Sequence, residues 1–226
     1  MSEQLRLAFG HRPATGAEDF MPAPGNQEAL AWLARWPEWP APALVLHGPP
    51  GCGKSHLARI WATRTAARWL DAVALAAHSG ATPGPDDGRT CVLDDAGPGV
   101  DEAALLSLYN RLHERRGHLL ITARLPVGAW TARLPDLASR LRAAPAVAIG
   151  PPDDALLGAV LLKLFADRQL VVSEAVIEYL VRHMERSFAA ARLVVAGLDA
   201  ASLQRQRPIT VALARALVDQ AATAQP

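Results

Sequence analysis

The chain has 226 residues, half of them hydrophobic, which is enough to bury the core of one large domain or of one domain with a small appendage. Its 23 basic and 22 acidic residues leave a formal net charge of +1, which excludes capture of nucleic acid or an anionic membrane by overall charge. Two cysteines cannot form a disulfide scaffold, and the sequence has neither an apolar signal segment nor a membrane-spanning run. These properties predict a cytoplasmic protein.

The first 25 residues are rich in proline, glycine and alanine. They predict an extended arm, of which residues 1–17 precede the first domain. A helix is expected from Asn26 to Trp36, with Asn26 as its N-cap. The apolar run at residues 43–47 then predicts a short buried strand.

That strand leads directly into the sequence Gly-Pro-Pro-Gly-Cys-Gly-Lys-Ser, which matches the G-x-x-x-x-G-K-[ST] pattern of loops that wrap nucleoside phosphates. A helix is predicted over residues 54–68, so the motif has the strand-to-helix context that phosphate binding requires. Lys54 is expected to reach the β- and γ-phosphates, and the Ser55 hydroxyl to bind Mg²⁺. The alternative is a glycine-rich turn with an incidental Lys-Ser pair. The candidate nucleotide-binding residues of this segment are Gly48, Pro49, Pro50, Gly51, Cys52, Gly53, Lys54, Ser55 and His56.

Strand and helix patterns alternate through the rest of the first 150 residues. Strands are predicted at 72–77, 90–95, 118–123 and 145–149, helices near 101–116 and 135–142, and a surface loop at 79–90. This alternation predicts an α/β nucleotide-binding domain over residues 18–150, with a mostly parallel sheet covered on both faces. After residue 150 the apolar periodicity is helical throughout, with Ser173 and Thr210 as N-caps of two helices. Residues 151–226 are therefore predicted to form a small all-helical lid.

Two carboxylates and a threonine stand at the ends of predicted strands. Asp94 and Asp95 close an apolar strand, so Asp94 is a candidate to hold Mg²⁺ through its water shell and Asp95 to orient the attacking water. Thr122 ends another strand and is a candidate partner of the γ-phosphate or of that water. The alternatives are a turn that begins at Asp94 and a threonine that merely leaves its strand.

Arg140 lies on the short helix predicted ahead of the last strand. In multi-subunit nucleotide machines, an arginine in such a place enters a neighbour's site and stabilises the charge that develops on the γ-phosphate. The chain is rich in arginine, so a solvated surface role is the alternative for Arg140.

Together these residues resemble the AAA+ family of ATPases, and within it the initiator DnaA and its shorter relatives, over roughly residues 18–218. The segment Gly48–Trp61 resembles the phosphate loop and helix of DnaA. The pair Asp94-Asp95 resembles the family's double-acid strand end, and Ser139-Arg140 resembles its arginine-finger box. The resemblance implies bound ADP or ATP with Mg²⁺, and catalytic roles for Asp95 and Arg140.

Three stretches are similar more narrowly to Hda, a DnaA-related regulator. They are Leu108–Leu112, Leu119–Thr122 and Leu134–Leu141. The resemblance implies that DnaA is the partner and that Arg140 promotes hydrolysis of DnaA-bound ATP, which prevents re-initiation of replication. The sequence has no segment similar to the DNA-reading domain of DnaA, so contact with DNA is expected only through another protein. A homo-oligomer is left open.

Residues 4–9, Gln-Leu-Arg-Leu-Ala-Phe, resemble the peptides that dock on the bacterial sliding clamp, the β subunit of DNA polymerase III. An extended peptide of this kind offers hydrogen bonds and apolar anchors to a preformed pocket. The resemblance implies clamp binding through Gln4, Leu5, Leu7 and Phe9.

Two positions depart from the Hda pattern. One strand ends in Ala123-Arg124-Leu125 where Hda has Gly-Asp-Arg, so the usual acidic sensor is absent. The family's lid arginine, which touches the phosphates, aligns with an alanine. The alternatives are substitution by Arg186, substitution by Arg192, or no substitute at all. Both changes predict weak hydrolysis of the chain's own nucleotide, which favours a structural and switching role for that nucleotide.

Three other functions share parts of this pattern. A helicase loader of the DnaC type would hydrolyse ATP in a spiral around single-stranded DNA, but the sequence offers no basic run for it. A small-molecule kinase would need an acceptor pocket, for which the sequence gives no candidate. An adaptor with an empty pocket conflicts with the intact Lys54, Ser55 and Asp94.

Overall fold

The computed structural model describes residues 21–77, 89–130, 132–205 and 208–223. Within these ranges, five parallel strands form one sheet in the order β2-β3-β4-β1-β5. The strands are β1 (Ala43–His47), β2 (Arg68–Leu70), β3 (Thr90–Ala96), β4 (His118–Ala123) and β5 (Ala146–Ala148). The sequence similar to clamp-binding peptides, at residues 4–9, and most of the loop predicted at 79–90 lie outside the described residues.

Helices cover both faces of this sheet, as predicted. They are α1 (Gln27–Ala34), α2 (Lys54–Thr65), α3 (Ala72–Ala77), α4 (Glu102–Glu114) and α5 (Pro135–Ala143), with a 3-10 turn at Val127–Ala129. Successive strand residues point to opposite faces of a sheet, so each strand feeds two apolar layers. Val45 and Ile121 pack into the layer that contains α4 and α5. Leu44 and Leu120 pack into the opposite layer with Leu57 of α2.

The prediction of a strand at residues 72–77 is wrong, because the second strand is Arg68–Leu70 and residues 72–77 form α3. Ala66 takes a left-handed backbone conformation (φ 51°) and ends α2, which frees the next residues to join the sheet edge. The Asp71 side chain then accepts a hydrogen bond from the Ala74 amide at 2.8 Å, in the manner of an N-cap. A short apolar run does not by itself distinguish a buried strand from a helix, and here its four alanines favour the helix.

The described residues after position 150 form four helices with an apolar core of their own. The helices are α6 (Asp154–Ala166), α7 (Glu174–His183), α8 (Phe188–Arg205) and α9 (Val211–Thr223). Their inward side chains, among them Leu157, Phe165, Leu180 and Leu198, form one cluster that is separate from the two layers around the sheet. Within the described ranges, no helix combines the length and the apolar character needed to cross a membrane.

The predicted N-caps occupy their expected positions but differ in their hydrogen bonds. The Thr210 hydroxyl accepts from an amide in the first turn of α9 at 3.4 Å, whereas Ser173 precedes α7 without a side-chain bond to it. Asn26 accepts from the Ala23 amide at 2.9 Å and donates to the Met21 carbonyl at 3.2 Å. Asn26 therefore fastens the segment before α1 rather than capping the helix.

We predict that Phe165→Ala lowers the free energy of unfolding by about 3–5 kcal/mol, because the side chain is 1% exposed at the centre of the α6–α9 core. The matched control is Leu162→Ala on the same helix, which is 54% exposed and should change stability by about 0.5 kcal/mol or less. Urea unfolding followed by circular dichroism measures both. Equal effects of the two substitutions would contradict the observed packing of α6.

Candidate functional site

Residues 48–55, here called the phosphate loop, connect β1 to α2 at the carboxyl edge of the parallel sheet. Gly51 (φ 71°) and Gly53 (φ 103°) take left-handed conformations that only glycine adopts without strain. Gly53 immediately precedes α2, so the loop ends at a helix N-terminus. The dipole and the unpaired amides of such a terminus favour an anion.

The Lys54 side chain lies inside the curve of the phosphate loop. It is only 7% exposed, and its Nζ donates hydrogen bonds of 2.8 Å to the carbonyls of Gly48 and Pro49. Burial of an ammonium requires such acceptors. Burial, and next the positive charge of Lys54, lowers the pKa of His47 at the end of β1. The imidazole is therefore neutral at pH 7, and the lysine is the positive charge of this part of the site.

One oxygen of Asp94 joins three elements of the site. Asp94 Oδ1 accepts a hydrogen bond of 2.8 Å from the Ser55 hydroxyl and one of 2.6 Å from the Thr122 hydroxyl. Thr122 is fully buried at the end of β4, and its oxygen also accepts from the Asp95 amide at 2.8 Å. The structure thus brings together Ser55, Asp94 and Thr122, three residues singled out from sequence. A hydroxyl and a carboxylate at this spacing are the oxygen ligands that Mg²⁺ prefers.

Asp95 has a different environment from its neighbour. Its backbone is left-handed (φ 53°), which interrupts the pairing of β3 with β4 between Leu93 and Ala96. Both carboxylate oxygens accept from Arg124, at 3.1 Å from Nε and 2.9 Å from a terminal amino group. This bidentate bond is the main cause that lowers the pKa of Asp95. The residue predicted to orient water is thus held by the arginine that replaces the usual acidic sensor.

The start of α8 is seated on the phosphate loop. The Phe188 amide donates to the Gly51 carbonyl at 2.9 Å, and Phe188 also lies beside Gly53. A β-carbon added to Gly51 would lie 2.7 Å from Cβ of Ser187. These two segments of the chain therefore approach too closely for any residue larger than glycine at position 51. Ser187 is itself buried, and its hydroxyl accepts from the Ala190 amide in the first turn of α8. The α6–α9 core is therefore coupled to the loop through direct contacts.

The candidate substitute for the lid arginine, Arg186, pairs with an acid of its own helical region. Its terminal amino group lies 2.8 Å from Asp154 Oδ1 at the start of α6, and both side chains are more than half exposed. The contact with the phosphate loop is made by the next residues, Ser187 and Phe188. A phosphate contact by Arg186 stays a prediction.

Arg140 lies on α5, on the helix and in the chain position expected from sequence. Its Nε donates to Asp136 Oδ1 at 3.0 Å, one turn earlier, and its guanidinium carbon lies 5.4 Å from the ring centroid of Tyr109 on α4. The side chain is 32% exposed. Arg140 is thus an ordered arginine at the surface rather than a freely solvated one.

Known proteins are similar to this chain in the sequence of the lid and in the fold. Residues 157–218 match the family model described as Hda, lid domain. Domain III of the replication initiation protein DnaA from Thermotoga maritima is similar at 17% identity with a TM-score of 0.76, over 92% of this chain and 97% of that chain. AMPPCP-bound DnaA from Aquifex aeolicus is similar at 16% identity with a TM-score of 0.66, over 86% of this chain and 70% of that chain. A RuvB mutant from Thermotoga maritima is similar at 15% identity with a TM-score of 0.68, over 91% of this chain and 71% of that chain.

The parallel sheet, the phosphate loop and the helical lid form a fold of the AAA+ type, similar to those of DnaA and RuvB. The match of residues 157–218 identifies this segment as similar to the lid domain of Hda. The predicted fold class is therefore confirmed, and the predicted resemblance to Hda is confirmed over the lid.

Three features of the site are not predicted by the sequence. The departure at Arg124 was visible as a missing acid, but its bond to Asp95 was not expected. The contact of Phe188 with the phosphate loop has no local sequence signal, because it joins residues more than 130 positions apart. The position of Tyr109 under Arg140 likewise depends on how α4 and α5 pack.

We predict that Gly51→Ala destabilises the protein more than two control glycine substitutions do. Gly99 (φ 94°) shares the left-handed backbone but has open space around it, so Gly99→Ala should cost about 1–2 kcal/mol from the backbone alone. Gly51→Ala adds the clash with Ser187, worth about another 1–3 kcal/mol. Gly128→Ala, with neither constraint, should stay within about 0.5 kcal/mol of the wild type.

Urea unfolding of the three variants makes this comparison. If Gly51→Ala cost no more than Gly99→Ala, the seating of α8 on the phosphate loop would be wrong.

Proposed function

We propose that this chain regulates the replication initiator DnaA by promoting hydrolysis of the ATP that DnaA holds. The observation that carries the proposal is the Hda-type lid over residues 157–218, joined to a DnaA-like AAA+ fold. In this proposal the chain docks on the sliding clamp, packs against ATP-bound DnaA and inserts Arg140 beside the DnaA nucleotide. Prevention of re-initiation is the physiological result.

The chain's own phosphate loop is proposed to hold ADP or ATP with Mg²⁺. The residues present suit a polyphosphate, because a buried ammonium, left-handed glycines and a helix N-terminus converge on one loop. The Ser55 hydroxyl and the Asp94 carboxylate, 2.8 Å apart, are the groups that would hold the metal. The similar DnaA from Aquifex aeolicus is bound to AMPPCP. The nucleotide would fasten the loop on which α8 is seated.

The proposed role of Arg140 is to place positive charge beside the γ-phosphate of the partner's ATP. An arginine supplied in this way raises hydrolysis by about 10³–10⁵ in other phosphoryl-transfer proteins. The bond from Arg140 to Asp136 uses Nε, so it does not consume the two terminal amino groups. Those groups are the donors that would meet the phosphate oxygens.

Clamp docking through Gln4, Leu5, Leu7 and Phe9 is proposed to supply the link to replicated DNA. The near-neutral charge of +1 supports an indirect link, because direct binding to DNA needs a concentration of positive charge. A peptide that docks on a clamp needs only a few anchors, so residues 4–9 are long enough.

We predict that Arg140→Ala reduces the stimulated hydrolysis of DnaA-bound ATP by at least about 10²-fold, since the loss of an arginine finger costs about 10³–10⁵ in rate. The assay reconstitutes clamp-loaded DNA, ATP-bound DnaA and this protein, and it follows conversion of ATP to ADP. Arg142→Ala on the same helix is the matched control and should retain stimulation, because side chains two positions apart on a helix point to nearly opposite sides. An Arg140→Ala protein as active as the wild type would contradict the finger assignment.

Gln4→Ala should lose clamp binding and, in the same assay, the hydrolysis that the clamp stimulates. Its nucleotide affinity should stay unchanged, since residue 4 is outside the phosphate loop. Unchanged affinity for the clamp in this variant would remove the docking step from the proposal.

We predict that Arg124→Ala raises the chain's own slow hydrolysis of ATP by no more than about fivefold. The substitution frees Asp95 and lets its pKa rise toward the ordinary carboxyl value, which makes it a better acceptor of a proton from water. The rise is bounded because the pair is 64% and 53% exposed, and such an ion pair is worth at most about 1 kcal/mol. Single-turnover hydrolysis of bound ATP measures the effect.

Arg124→Lys, which keeps the charge but not the fork, should fall between wild type and Arg124→Ala. The double variant Arg124→Ala with Asp95→Ala should lose the gain. If the gain survived removal of Asp95, another group would be the base.

A further inference from the structure

The helix that carries Arg140 is attached to α4 at three points. At its start, the Glu102 carboxylate accepts from the amides of Arg133 and Leu134, at 2.9 and 2.7 Å. Leu134 is the last residue before α5, so these two bonds fix the backbone from which the helix departs. The two amide donors are satisfied by one ionised side chain, and their hydrogen bonds lower the pKa of Glu102.

The second attachment is apolar. Leu137 and Leu141 of α5 are each 1% exposed and belong to the same cluster as Leu105 and Leu108 of α4. They lie one helical turn apart and set the rotation of α5 about its axis. Arg140, immediately before Leu141, is therefore held at the border of this buried stripe.

The third attachment is at the guanidinium itself. Tyr109 is buried, with 5% of its surface exposed, and its ring lies beneath the Arg140 guanidinium at 5.4 Å. Attraction of a cation to an aromatic face restricts the side chain without using its hydrogen-bond donors. Glu102 and Tyr109 are seven residues apart, two turns of α4, so one face of that helix provides both contacts.

We infer that Glu102 and Tyr109 are positioning residues for Arg140. Through them, α4 holds α5, the helix that carries Arg140, in place. Glu102 fixes where α5 begins, and Tyr109 fixes where the guanidinium lies. Asp136 completes the arrangement from within α5, through its bond to Nε. An arginine that is already ordered loses less conformational freedom when it meets a partner's phosphate, so its preorganisation contributes to the maximal rate.

The inference rests on the proposed function, and neither Glu102 nor Tyr109 is assigned a contact with nucleotide. A positioning role differs from a role in binding the partner in one measurable respect. A positioning residue changes the maximal rate within the assembled complex, whereas a surface residue of the interface changes the concentration at which the complex forms.

The experiment measures conversion of DnaA-bound ATP to ADP on clamp-loaded DNA across a series of concentrations of this protein. Tyr109→Leu should lower the maximal rate by about three- to tenfold, the loss expected when a cation–π contact is removed, with an unchanged half-saturating concentration. Tyr109→Phe keeps the ring and should restore a rate within about twofold of the wild type. Binding of a fluorescent ADP analogue counts the folded molecules in each sample, so partial unfolding cannot imitate the loss.

Glu102→Gln tests the first attachment without touching the core. It leaves one acceptor oxygen for two amides, and it should lower the maximal rate. The matched control is Asp101→Asn, which removes the same charge one residue earlier and keeps an acceptor for the Ala104 amide that Asp101 caps. Asp101→Asn should behave as the wild type does.

The possible outcomes separate the two levels of the proposal. If wild type and Arg140→Ala give equal rates, the proposed function fails, and the positioning roles fail with it. If Arg140→Ala is defective while Tyr109→Leu and Glu102→Gln match their controls in maximal rate, the finger stands and the positioning inference is overturned. A Tyr109→Phe variant as defective as Tyr109→Leu would also overturn the role of the ring.

Discussion

The Asp94 carboxylate is the point on which the geometry of the site depends. Through a single oxygen it accepts from Ser55 at the start of α2 and from Thr122 at the end of β4, while the residue itself lies in β3. Three segments that are distant in sequence therefore meet within hydrogen-bond distance at the carboxyl edge of the sheet. The Thr122 hydroxyl extends this contact to the Asp95 amide, so the positions of the two neighbouring acids are coupled.

The loop beside this carboxylate is shared between the sheet and the lid. Lys54 Nζ donates to two carbonyls of the loop, and the Phe188 amide of α8 donates to a third, that of Gly51. The α6–α9 helices have their own core, so they can respond to the loop as a unit. A change in the loop's conformation would therefore reach the lid through backbone contacts. This coupling does not need the side chain of Arg186, which is paired with Asp154. This arrangement is compatible with a nucleotide that acts as a structural and switching ligand.

The sequence was sufficient to predict the parts of the fold that depend on local pattern. The phosphate loop, the strand that carries Asp94, and the amphipathic helices after residue 150 each have a periodicity or spacing that indicates the structure found. The strand predicted at residues 72–77 failed because a short apolar run is compatible with two structures, and the left-handed Ala66 and the Asp71 cap decided between them. Pairs such as Arg124 with Asp95 and Arg140 with Tyr109 were out of reach, because they depend on the packing of separate elements.

Arg124 and Arg140 are both paired with aspartates, yet the two bonds have opposite chemical consequences. Arg124 uses Nε and a terminal amino group on both oxygens of Asp95, which lowers the pKa of that carboxyl and occupies the group proposed to orient the attacking water. Arg140 bonds Asp136 through Nε and lies over an uncharged ring, so neither contact uses its terminal donors, which are the groups proposed to meet a partner's phosphate. Under the proposed function, the first bond would oppose hydrolysis of the chain's own nucleotide, and the second would hold an arginine in place for the nucleotide of a neighbour. A protein that combines the two would keep its own nucleotide while it promotes turnover in its partner, which is the division of labour that the proposed regulation of DnaA requires.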